Sequence, residues 1–107
     1  MSYTDIDIEK YQAQFENNAD ADYVLVDVRE ADEYAEGHLP GTIHVPLSEF
    51  QTRYTEIGKE KPIVLVCARG GRSAQAAEFL GAQGYTDLYN LEGGTMGWIQ
   101  QGLPVEK

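Results

Sequence analysis

The sequence predicts an α/β fold, a mostly parallel central sheet with helices on both faces. Three observations carry this. Strand-like and helix-like segments alternate along the chain. Two strand candidates, YVLVDV at 23–28 and PIVLVC at 62–67, are near-continuous apolar runs rich in valine. Strands buried on both faces read that way, whereas half-exposed strands alternate. Each run is followed by a turn and a helical pattern, the order that places helices over a parallel sheet.

Taken in order, Ile8, Tyr11 and Phe15 are spaced for one helical face, and Asp7 suits the N-cap before them. The strand at 23–28 leads into READEYAEG, a short helix closed by Gly37. HLPGTIHVP, with two prolines and a glycine, is a turn entering a brief strand at 43–45. Ser48 and Gln51 have capping-box spacing for a helix with Leu47, Phe50 and Tyr54 on one side. After the strand at 62–67 comes an alanine-rich helix at 73–83, stopped by Gly84. LYNL at 88–91 is the last strand. The glycine-rich turn EGGTMG and a short helix at 98–101 complete the pattern. No repeat, low-complexity tract or linker interrupts it, so residues 1–107 are expected to form one domain.

Composition narrows the function classes. Hydrophobic residues make up 42% and charged residues 24%, which is globular rather than disordered. The longest apolar runs are strand-sized, and MSYTDIDIEK lacks the basic-then-apolar pattern of a signal peptide. With 18 acidic against 8 basic residues the net charge is −10, which argues against nucleic acid and anionic membranes as partners. A single cysteine forms no internal disulfide and no cysteine metal cluster, and fits a reducing, cytoplasmic compartment.

That one thiol, Cys67, sits in VCARGGRS, at the carboxyl end of its strand and just before a helix. Ligands in open α/β folds bind at that end of the sheet. Gly70 and Gly71 let the backbone curl, and successive amides of a curled loop form an anion nest backed by the positive end of the helix. Arg69 and Arg72 add two permanent charges if both point inward. Such a field favours the thiolate, the nucleophilic form of cysteine. Taken alone, a cysteine at a strand end is usually a small buried hydrophobe. The conjunction of strand, Cys, Gly-rich loop with Arg, Ser and helix points to a nucleophile in a cradle for negative charge. The loop lacks the Gly-Lys-Ser/Thr ending of a nucleotide P-loop. His38 and His44 flank a turn with Glu36 and have no third ligand in sequence. Turn-stabilising hydrogen bonds suit them better than a metal, and nothing places either beside Cys67.

Four segments together resemble the rhodanese (thiosulfate sulfurtransferase-like) family: VLVDVRE at 24–30, EGHLPGTIHVP at 36–46, VCARGGRS at 66–73 and LEGGTMGW at 91–98. The resemblance spans nearly the whole chain and implies a rhodanese-like three-layer fold. It implies that Cys67 takes a sulfane sulfur as a persulfide, surrounded by the amides of Ala68, Arg69, Gly70, Gly71 and Arg72, with Ser73 closing the loop. Arg69 falls at a position that varies in the family. Asp27 and Arg29 match a supporting motif, expected to be an ion pair near the site. Glu36, His38 and Pro40 match turn architecture, and Trp98 a core position. The implied partners are a small anionic donor (thiosulfate or a persulfide) and a thiol or cyanide acceptor, with a protein acceptor also open. No cofactor and no metal are implied.

Two rival classes remain. Cysteine phosphatases and arsenate reductases of related fold place five residues between Cys and Arg and a His before the Cys. Here Val66 precedes Cys67 and four residues separate it from Arg72. A sulfur-relay or regulatory binding module would use the same fold to hold a partner.

Overall fold

The computed structural model describes residues 2–107. Five strands form one sheet: β1 (Thr4–Ile6), β2 (Val24–Asp27), β3 (Thr42–His44), β4 (Ile63–Val66) and β5 (Leu88–Leu91). Their spatial order is β1-β5-β4-β2-β3, and every pairing is parallel. The helices are α1 (Ile8–Tyr11), α2 (Ala31–Glu36), α3 (Phe50–Arg53), α4 (Gly71–Ala82) and α5 (Gly94–Gln100). This is the α/β architecture the apolar strands require, since a parallel sheet must be covered on both faces.

The two faces read directly from β4, all four of whose residues are buried. Ile63 and Leu65, with Cys67 beyond them, join Val26, Val28, Phe50, Ala76, Ala77 and Leu80 on the side of α3 and α4. Val64 and Val66 join Ile8, Tyr11, Leu91 and Trp98 on the side of α1 and α5. Period-2 alternation makes one strand serve two cores. Each aliphatic side chain so buried contributes about 1.5–3 kcal/mol before entropy is charged against it.

Local chemistry explains most element ends. Asp7 caps α1, its carboxylate accepting from Lys10 N–H at 2.8 Å. Beyond Tyr11 the chain loosens into one π turn, Gln12–Glu16, which seats Phe15 in the core. Gly37 ends α2.

Four elements differ from the sequence reading. β1 has no counterpart there, because three residues with two exposed give no periodic signal. The Ser48–Gln51 capping box does not form: Ser48 Oγ donates instead to Glu30 at 2.6 Å. The box lies on α2, where Glu30 and Glu33 cap each other reciprocally. The segment from Leu47 to Glu56 is a short α-helical turn between two 3₁₀ turns, although Leu47, Phe50 and Tyr54 do pack together against one core. α4 and α5 each begin earlier than expected, at Gly71 and Gly94. For α5 the reason is tertiary. Its first amides, Thr95 and Met96, donate to the carbonyls of Cys67 and Ala68 at 2.9 and 3.0 Å, which satisfies them without a cap side chain.

Candidate active site

β4 is the middle strand, so its carboxyl end is flanked by the ends of β2 and β5. Cys67 sits there, 1% exposed. The loop after it turns back at Gly70, whose φ of +109° is accessible to glycine and strained for other residues. Gly70 N–H thereby donates to Cys67 Sγ at 3.0 Å, and Ser73 Oγ lies 3.3 Å from the same sulfur. Gly71 has no such demand: it starts α4 with an ordinary φ and open space where a Cβ would stand.

Burial is the largest single influence on the Cys67 thiol and pushes its pKa up. The Ser73 hydroxyl and the backbone amides of Ser73, Gly70 and Arg69 oppose it, and together they bring the pKa below its ordinary value. The sulfur thus lies in a nest of donors at the head of a twelve-residue helix.

The two loop arginines do not act as a pair. Arg69 is exposed and, among the described residues, enters no ion pair. Arg72 turns to α2 and grips Glu33 with both guanidinium nitrogens, at 2.6 and 2.8 Å. The Arg72 hydrogen bonds hold the Glu33 carboxyl down at about 2. Arg72 still feels the sulfur's charge, which helps hold its own pKa up. Of the two positive charges the sequence places near the thiol, one is open to solvent and the other is paired with a carboxylate.

At the end of β2, Asp27 is fully buried and Arg29 is 5% exposed. They form a bidentate ion pair with contacts of 3.0–3.1 Å, and Arg29 also donates to Gly37 O at 2.8 Å. The pair pins the turn after α2 to the sheet. Removing either partner would strand a buried charge, a loss of about 3–5 kcal/mol. The two histidines stack on opposite sides of Tyr34, with ring centroids 3.9 and 4.2 Å away. His44 Nε2 donates to Arg29 O at 2.7 Å, and His38 Nδ1 lies 3.1 Å from Leu39 O and from Thr42 Oγ1. Neither ring hydrogen-bonds to Cys67, and among the described residues no metal-binding cluster occurs. Trp98 is wholly buried and donates to Pro104 O at 2.7 Å.

A third set of residues around the sulfur is absent from the sequence reading. Asn90 of β5, 4% exposed, accepts from Ser73 Oγ at 2.5 Å. Its amide nitrogen donates to Gly70 O at 3.2 Å and to Asp5 of β1 at 2.9 Å. The signal was present in LYNL, where one amide interrupts an apolar strand at an inward position.

The model of the rhodanese-like domain matches residues 9–101 of this chain. The protein belongs to the rhodanese-like family. Several of its relatives carry sulfurtransferase names. A sulfurtransferase of Allochromatium vinosum is 39% identical over 84 residues, 78% of each chain. The thiosulfate sulfurtransferase GlpE of Actinobacillus pleuropneumoniae serotype 3 is 32% identical over 99% of this chain and 97% of its own. Among solved structures, a rhodanese-related protein from Thermoplasma volcanium superposes with a TM-score of 0.83 at 34% identity, covering 97% of this chain and 98% of that one. This rhodanese-like chain is therefore of the sulfurtransferase family, with the three-layer fold of its structural neighbours. Among the described residues no helix is long and apolar enough to cross a membrane.

Proposed function

We propose that this rhodanese-like protein is a thiosulfate-type sulfurtransferase that carries sulfane sulfur on Cys67. The observation that carries the reading is the nest itself: a thiol held below its ordinary pKa by converging donors. In the first half-reaction the Cys67 thiolate attacks the outer sulfur of thiosulfate. A Cys67 S–S bond forms, the donor's S–S bond breaks, and sulfite leaves with the electron pair. A persulfide donor reacts in the same way and releases its thiol. The terminal sulfur now carries the negative charge, and the loop amides are the donors that stabilise it. In the second half-reaction cyanide in an assay, or a small-molecule or protein thiolate in the cytoplasm, attacks that sulfur and Cys67 leaves as thiolate. Electrons balance over the two steps with no cofactor.

The geometry supports the following roles for the neighbouring residues. Gly70 and Ser73 contact the sulfur, and the amide of Arg69 faces it. Ala68 is held by α5 through its carbonyl. Arg72 keeps positive charge at the head of α4, and exposed Arg69 is free to meet an anionic donor. Asp27 and Arg29 hold the neighbouring turn. The four-residue spacing from Cys67 to Arg72 suits one sulfur atom better than the tetrahedral oxyanion of a phosphatase.

Initial rates with thiosulfate and cyanide both varied test this. Double displacement gives parallel reciprocal plots, and Cys67→Ser abolishes turnover. Activity retained by Cys67→Ser would overturn the reading, as would no turnover with thiosulfate or with a low-molecular-weight persulfide.

A further inference from the structure

Ser73 has one hydroxyl proton and two acceptors within reach of it. Cys67 Sγ lies at 3.3 Å and Asn90 Oδ1 at 2.5 Å. A hydroxyl donates once, so the two acceptors compete, and the shorter contact favours Asn90. The amide of Asn90 cannot escape the competition by flipping. Its nitrogen is held by two acceptors, Asp5 Oδ1 at 2.9 Å and Gly70 O at 3.2 Å, which leaves the oxygen facing Ser73. Register makes the arrangement possible. Asp5 and Asn90 are paired positions of β1 and β5, and Asn90 pairs with Leu65, two residues before the thiol. Asn90 and Ser73 are both shut off from water, at 4% and 0% exposure, so solvent does not dilute the exchange.

We propose that Asn90 is a positioning residue for Cys67, competing with the sulfur for the Ser73 hydroxyl proton and so setting how strongly the sulfur is hydrogen-bonded. With the thiol neutral, S–H donates to Ser73 Oγ and the hydroxyl donates to Asn90. When the thiol ionises, the hydroxyl turns to the sulfur and gives up its bond to Asn90. Asn90 therefore restrains ionisation in the resting protein and yields when negative charge develops on the sulfur. Asp5, exposed on the edge strand, is the outer anchor of this chain. The inference builds on Cys67 as the reacting group but not on the identity of the sulfur donor. The charged groups that bear on the thiol are Arg72 from α4, itself tied to Glu33 of α2, and, through Asn90, Asp5 from β1.

The test is the pH titration of the Cys67 thiolate, read by its ultraviolet absorbance against a Cys67→Ser blank, in four proteins: wild type, Asn90→Ala, Ser73→Ala and the double variant. A full charge-assisted hydrogen bond to a thiolate is worth about one to two pH units. Freeing the hydroxyl from Asn90 recovers part of that, so Asn90→Ala is expected to lower the midpoint by about half to one unit. Ser73→Ala raises it. In the Ser73→Ala background, replacing Asn90 is expected to shift nothing. An unchanged or higher midpoint in Asn90→Ala would overturn the proposal. So would an equal shift with and without Ser73, which would mean that Asn90 acts through loop geometry. If Asn90→Ala does not fold, Asn90→Val, bulkier and suited to a strand, carries the same comparison. The titration reads the thiolate whether or not sulfur is transferred, so failure of the sulfurtransferase reading would not be confused with failure of this one.

Discussion

Two of the loop-region glycines do different work. Gly70 is required by its dihedral, because the turn there aims an amide at the sulfur. Gly94 is required by space as well. A Cβ at Gly94 would clash with the carbonyl oxygen of Cys67 and come within 2.6 Å of that of Ala68, and its φ is +56°. Those carbonyls accept from the first amides of α5, while the amides of Arg69, Gly70 and Ser73 face the sulfur. Gly94→Ala is expected to destabilise the protein by about 2–3 kcal/mol, from the left-handed conformation and the backbone clash together. It is also expected to slow alkylation of Cys67 in the fraction that stays folded. Urea titration and alkylation rates measure the two effects; a neutral substitution would show that the loop shifts freely against α5. Gly71→Ala, with an ordinary φ and open space, is the control expected to change little.

At the scale of elements, α2 and α4 are joined by Arg72 and Glu33. The Glu33 pKa falls from an ordinary 4.5 to about 2 through the Arg72 hydrogen bonds. A carboxyl depressed in the folded state adds stability that is fully present above about 4.5 and is lost as pH falls toward about 2. Both side chains are about a third exposed, which limits the contribution to about 1 kcal/mol or less. Glu33→Gln is therefore expected to be less stable than wild type at neutral pH, with the gap closing between pH 4.5 and 2. Denaturant midpoints across that range measure it, and a gap that holds constant would contradict the assignment. This pair also marks a limit of sequence reading. Strands β2 and β4 and helix α4 are legible because their apolar periodicity is dictated by burial, and Cys67 stands out because one thiol beside glycines and arginines is chemically unusual. Glu33 is one of 18 acidic residues, and nothing local selects it as the partner of Arg72. β1, Asp5 and the early start of α5 were hidden for the same reason: each is stabilised by groups distant in sequence. Asn90 is the intermediate case, a polar residue in an apolar strand whose meaning depends on Ser73 and Asp5.

Over the whole molecule, a net charge of −10 surrounds the site proposed to take an anionic sulfur donor. The loop donors act over a few ångströms, whereas the net charge acts over the Debye length, about 30 Å at 0.01 M and about 8 Å at 0.15 M salt. At low ionic strength the global field is expected to oppose thiosulfate. kcat/KM for thiosulfate should rise about two- to three-fold as salt is raised across that range, the reverse of attractive steering. A fall would mean that Arg69 and Arg72 dominate the approach despite the acidic surface.

The central claim is that sulfur lands on Cys67. Intact mass spectrometry of the reduced protein, incubated with thiosulfate and freed of excess, tests it directly beside Cys67→Ser. The account predicts a gain of one sulfur atom on the wild type alone, removed again by cyanide or a thiol. No added sulfur from thiosulfate or from a persulfide donor, or the same gain on Cys67→Ser, would contradict it.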